Sequence, residues 1–132
     1  MTDSSDSDSS PLFEAKEFAE PSVFTPEALL ENARRQKDLS KRSVPDICLL
    51  DPDGDIVRQL MATGEARKDD AWPGYHTDLY RFERNGEEFG IVGCAVGASF
   101  AVLVAEQLFA AGCRFLVSIT SSGQIVPKDD PP

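Results

Sequence analysis

The chain has 132 residues, the size of one ordinary domain, and 41% of them are apolar, so a chain too polar to build a core is excluded. Its 13 Lys and Arg stand against 23 Asp and Glu, a net charge of -10. That balance speaks against a nucleic-acid partner, which needs a basic footprint on phosphates, and against adhesion to an anionic membrane.

Residues 1–10 are almost entirely Ser and Asp and are expected to form a disordered tail. They hold neither the basic nor the apolar region of a secretory signal. The longest uncharged apolar stretch, residues 89–105, is shorter than the roughly 20 residues a spanning helix needs. A cytoplasmic protein is the expectation. Cys48, Cys94 and Cys113 form no C-x-x-C pair, and each lies in an apolar run where a thiol acts as a small buried hydrophobe.

Residues 11–44 form a polar, charge-mixed segment. Thr25 suits an N-cap, Pro26 the first helical position and Glu27 the positive helix end, which predicts a helix over 26–38 anchored by Leu29 and Leu30. The basic run 37–42 is expected to be a solvated linker. Denser apolar sequence starts at 46. Residues 47–50 are a short continuous apolar run, the mark of a buried parallel strand. Residues 51–55, Asp-Pro-Asp-Gly-Asp, predict a turn, and 56–62 a helix stopped by Gly64.

Asn85-Gly86 is a hairpin signal, predicting strands over 75–84 and 88–95. After Gly97 the pattern becomes helical, over 99–111, with Gly112 closing it. Only Glu106 and Gln107 interrupt its apolar circumference, which predicts a helix buried between layers with those two on its polar side. Residues 114–120 predict another buried strand. Strand, helix and strand make a right-handed βαβ unit and an α/β class, with ligand chemistry at the carboxyl ends of the strands.

Three motifs bear on chemistry. Asp51-x-Asp53-x-Asp55 begins like a calcium loop, but Ile56 replaces the required Gly and Ala62 the final Glu. An acidic turn capping a helix is the plainer reading. Gly93-x-x-x-Gly97 is neither a dinucleotide fingerprint nor a P-loop, leaving a tight strand-to-helix turn. Thr120-Ser-Ser-Gly123 ends a strand with three hydroxyls and a backbone N–H suited to a phosphate or a ribose. His76 is the only histidine, without a second His for a metal site or a Ser/His/Asp set, and is read as a structural residue.

Taken together, Gly93-Cys-Ala-Val-Gly-Ala-Ser-Phe-Ala-Val-Leu-Val-Ala-Glu-Gln-Leu108 and Gly112-Cys-Arg-Phe-Leu-Val-Ser-Ile-Thr-Ser-Ser-Gly-Gln-Ile125 resemble the signature region of the purine nucleoside and uridine phosphorylase superfamily. Residues 47–57 resemble that family's first strand and loop. The resemblance implies the N-terminal part of a three-layer αβα fold with a mixed central sheet, occupying residues 45–126, with 127–132 a tail or truncation point. It implies cleavage of the N-glycosidic bond of a purine or pyrimidine nucleoside by the complete fold, no cofactor beyond phosphate as a co-substrate, and a homo-oligomer when complete. Family domains are about twice as long, so this chain alone is expected to be inactive.

By the same resemblance, Val96, Gly97, Thr120, Ser121, Ser122 and Gly123 bind substrate. Two phosphate-binding arginines of the family are absent, with Asp55 or Ile56 at one place and Ser118 at the other. That loss removes the bidentate donors for phosphate and brings forward a hydrolytic nucleosidase, in which Asp55, or Asp53, orients a water. It also keeps open a different class, a non-catalytic nucleoside-binding or interaction module.

Overall fold

The computed structural model describes residues 19–123. The expected tail at 1–10, Ile125 and the segment 127–132 lie outside them. The first helix, α1 (Pro26–Lys37), starts as its sequence dictates: the Thr25 hydroxyl accepts from the Ala28 N–H at 3.2 Å and Pro26 occupies the first turn. Asp38 ends it in the left-handed conformation. Strand β1 (Ile47–Asp51) leads through a tight turn into α2 (Asp55–Ala62), and β2 (Ala66–Lys68), β3 (Leu79–Arg84) and β4 (Glu87–Gly93) follow. Then come α3 (Ala98–Ala110) and β5 (Phe115–Ser118).

These strands form one mixed sheet in the order β2-β3-β4-β1-β5. β1 runs parallel to both β4 and β5, whereas β3 is antiparallel to β4 and to β2. The expected hairpin is β3–β4, turning at Asn85-Gly86, and its first strand starts at Leu79 rather than at 75. The βαβ unit is β4–α3–β5, and its crossover passes over β1. β2 is an addition to the predicted elements. It is short and two of its three residues are charged, so only the exposed edge of β3 reveals it.

Alternation along the strands assigns the layers. Cys48, Leu50, Leu79 and Val92 face a core shared with Leu30 of α1 and with Val104 and Leu108 of α3. Ile91 is buried on the opposite face, the one that α2 covers: a Cβ at neighbouring Gly93 would meet the Val57 side chain of α2 at 3.2 Å. The molecule is therefore α/β, with α1 and α3 on one face of the sheet and α2 on the other.

Two expectations about α3 are corrected. It is not enclosed: Val102 and Phe109 are at least half exposed, because the sheet and α1 cover only one side of the helix. Gln107 does not share a polar side with exposed Glu106 but is buried. Of the thiols, Cys48 and Cys113 are buried as expected, and Cys94 is exposed. It has left strand β4 in a positive-φ conformation that turns it out of the core.

The segment before β1 is anchored rather than merely solvated. The Lys37 ammonium donates to the carbonyls of Pro73 and Gly74 at 2.9 Å each and sits over the Tyr75 ring. Arg81, buried on β3, bonds to Asp69, to Glu88 on β4 and to the Ser43 carbonyl, an ionic junction that sequence periodicity does not reveal.

Candidate functional site

β1 and β4 are adjacent and parallel, yet the helices that follow them, α2 and α3, lie on opposite faces of the sheet. Chains that leave neighbouring strands in opposite directions open a crevice at the strands' carboxyl ends, which is where open α/β sheets hold ligands. The edge here carries residues 51–55 after β1, 94–97 after β4 and 119–123 after β5.

Asp51 builds the first loop from within. Its buried carboxylate accepts from the N–H of Gly54 at 3.1 Å and of Val57 at 2.9 Å, closing the first turn of α2. Its carbonyl accepts from the Cys94 N–H at 2.9 Å, which ties the β4 loop to the β1 loop. Gly54 adopts φ +74, and a Cβ there would fall 2.7 Å from the Cys94 sulfur, so this crossing needs glycine. The acidic-turn reading of the Asp51-x-Asp53-x-Asp55 motif holds for Asp51, and no cluster suited to a metal exists among the described residues.

Asp53 reaches the other way, toward the end of β5. Its carboxylate accepts from the Ser121 N–H at 2.7 Å, with the Thr120 hydroxyl at 3.4 Å from both of its oxygens. The Ser121 N–H, chiefly, holds this carboxyl below its ordinary range. Residues 68 positions apart thus meet across the edge of the sheet.

Asp55 sits in the first turn of α2, exposed and ion-paired with Arg58, whose guanidinium also donates to the Asp53 carbonyl. Val96 is exposed, and Gly97 starts α3 at φ +90 without a side-chain cap, leaving the first N–H groups of that helix at the same edge. Among the described residues no hydrogen bond joins Val96 or Gly97 to residues 120–123. Ser122 and Gly123 are exposed at the end of the described chain. Of the expected site residues, Thr120 and Ser121 are therefore held together by Asp53, while Asp55 and Val96–Gly97 flank them.

A cleft of about 250 Å3 opens beside this clasp. Gly54, Val57 and Arg58 line it together with His76, Thr77, Asp78, Tyr80, Gly93 and Cys94. Sequence reasoning set His76 and Cys94 aside, yet both stand here with φ of 61°. The one available signal was that Cys94 lies within the Gly93-x-x-x-Gly97 turn. Asp78 is paired with Lys68 at 2.8 Å. A larger hollow of about 490 Å3 lies at the opposite end of the sheet, between α1 and the segment before β1, and holds none of the expected site residues.

Chemically, the carboxyl edge offers two exposed carboxylates, hydroxyls and backbone N–H groups, and a single guanidinium engaged by Asp55. That set accepts hydrogen bonds from neutral hydroxyl-rich ligands better than it neutralises a phosphate dianion. No helix among the described residues is long and apolar enough to cross a membrane. No family model matches this chain, and no curated protein does.

Proposed function

We propose that this chain carries the nucleoside-handling edge of a nucleoside phosphorylase-like fold, whose complete form cleaves the N-glycosidic bond of a purine or pyrimidine nucleoside. The observation that carries the reading is the Asp53–Ser121 hydrogen bond of 2.7 Å. It unites the two loops that the sequence resemblance assigns to the same site, although they lie far apart in the chain. In this reading the ribose lies beside Val96 and Gly97, and its hydroxyls meet Asp53 and the Thr120–Gly123 turn.

Within that reading water is favoured over phosphate as the nucleophile. A phosphate dianion here would face the Asp53 and Asp55 carboxylates, and Arg58 is already held by Asp55. Asp55, at the mouth of the loop, is the residue to orient the water. A non-catalytic nucleoside-binding module is the second reading, favoured by the same shortage of cationic groups.

Calorimetry with inosine, uridine and methylthioadenosine, paired with assays of base release with and without phosphate, tests both. The 132-residue chain is expected to bind a nucleoside without turning it over, and Ser121→Ala or Asp53→Ala should weaken binding at least about tenfold, or ~1.4 kcal/mol. A folded chain that binds none of the three at millimolar concentration overturns the proposal. Base release that requires phosphate overturns the preference for water.

A further inference from the structure

The hollow of about 490 Å3 between α1 and the segment before β1 lies at the end of the sheet away from the candidate site, and three cationic and two acidic side chains line it. α1 supplies Glu27, Glu31 and Arg34 from the face that carries buried Leu30, since residues three and four apart share one side of a helix. The segment before β1 supplies Lys41, and the end of α3 supplies buried Ala111. These charges do not answer one another. The Arg34 Nε is buried without a hydrogen-bond partner, a donor that costs stability unless something accepts from it. Among the described residues no ion pair joins Arg34 or Lys41 to Glu27 or Glu31, although all four line the same hollow. Lys37, of the same basic run as Lys41, is by contrast held by the carbonyls of Pro73 and Gly74.

We propose that this hollow binds a small zwitterion of dipeptide size, with an ammonium at one end and a carboxylate at the other. The carboxylate meets Arg34 and Lys41, the ammonium meets Glu27 and Glu31, and an aliphatic side chain lies on Leu30 and Ala111. The order of charges along α1 sets the direction of the ligand. Glu27 lies in the first turn of the helix and Arg34 in the last, roughly 10 Å further along its axis, with Glu31 between them. That spread suits the two ends of a dipeptide, about 7 Å apart when extended, better than the adjoining groups of a free amino acid. A phosphate dianion would meet two carboxylates, and a diamine would meet the guanidinium, so the mixed lining favours a ligand that carries both charges. The volume falls within the roughly 300–1,000 Å3 of small-molecule sites.

Calorimetry on the complete 132-residue chain with alanyl-leucine, N-acetyl-alanyl-leucine and alanyl-leucinamide tests the proposal. The free dipeptide is expected to bind with a dissociation constant below about 1 mM, and each capped analogue, lacking one charge, at least about tenfold more weakly. Arg34→Gln should remove the preference for the free carboxylate, so that alanyl-leucine and its amide bind alike while the circular dichroism is unchanged. The double variant Glu27→Gln/Glu31→Gln should remove the preference for the free ammonium in the same way. The nucleoside reading concerns the other end of the sheet and stands or falls separately. No binding of the dipeptide at about 10 mM, occupancy of the hollow by residues 1–18 included, overturns the proposal. Equal binding of the capped analogues, or selectivity that survives both sets of substitutions, overturns it as well.

Discussion

Each of the three cysteines follows its strand rather than its composition. Cys48 lies wholly buried on β1, where burial first, and then the nearby Cys113 thiol, push its pKa far upward. Cys113 is nearly as deep, with its thiol donating to the Phe115 carbonyl at 3.3 Å. Cys94 differs because β4 stops at Gly93 and the next residue turns to φ 61°, its N–H bound to Asp51. The reagent must reach the sulfur to react, so inaccessible thiols are slow. In the folded chain at pH 8, Ellman's reagent should therefore label a single thiol rapidly, and Cys94→Ala should remove that phase. Denaturant should then release the other two. Rapid labelling of a second thiol before unfolding would show that the core around Cys48 and Cys113 is open.

At the level of elements, most of what forms was legible and most of what functions together was not. Thr25-Pro26-Glu27 marks the start of α1, and Asn85-Gly86 marks the hairpin, because capping and turn chemistry are local. β2 escaped because three residues, two of them charged, carry no period, and Gln107 was misplaced because tertiary packing, not the helix's own pattern, decides which side of α3 is inside. The Asp53 contact with Ser121 was invisible for a related reason: it exists only once β1 and β5 lie side by side. That contact has a measurable acid limit. Its folded-state carboxyl is depressed, so the stabilisation is present above the unfolded pKa and is lost as pH falls through the folded one. The Ser121 amide resonance should hold steady near neutrality and titrate below about pH 4, under the ordinary Asp range, as the clasp opens. Asp53→Asn should abolish that titration. A midpoint at or above the ordinary value would mean that the N–H of Ser121 does not favour the charged form.

Across the whole molecule, the segments around β3 converge on Arg81 rather than on the apolar core alone. This side chain is 4% exposed, and its three nitrogens engage Asp69, Glu88 and the Ser43 carbonyl, so one residue of β3 fixes the β2–β3 connection, β4 and the approach to β1. Buried ionic groups cost desolvation, and the junction is sustained because each member is matched. Arg81→Ala would leave Asp69, itself buried, with only the Ala71 N–H at 3.0 Å and Arg42 at 3.9 Å. A loss of about 3–5 kcal/mol is expected from such an uncompensated charge, against about 5–15 kcal/mol for a whole domain. Urea unfolding should show a much lower midpoint with an unchanged slope. The double variant Asp69→Asn/Arg81→Met should recover part of that loss, since the charge left behind in the single variant is gone and the aliphatic stem is kept. Equal losses in the single and double variants would locate the effect in packing around β3. Recovery in the double variant would locate it in the ionic match between the sheet and the segment preceding β1.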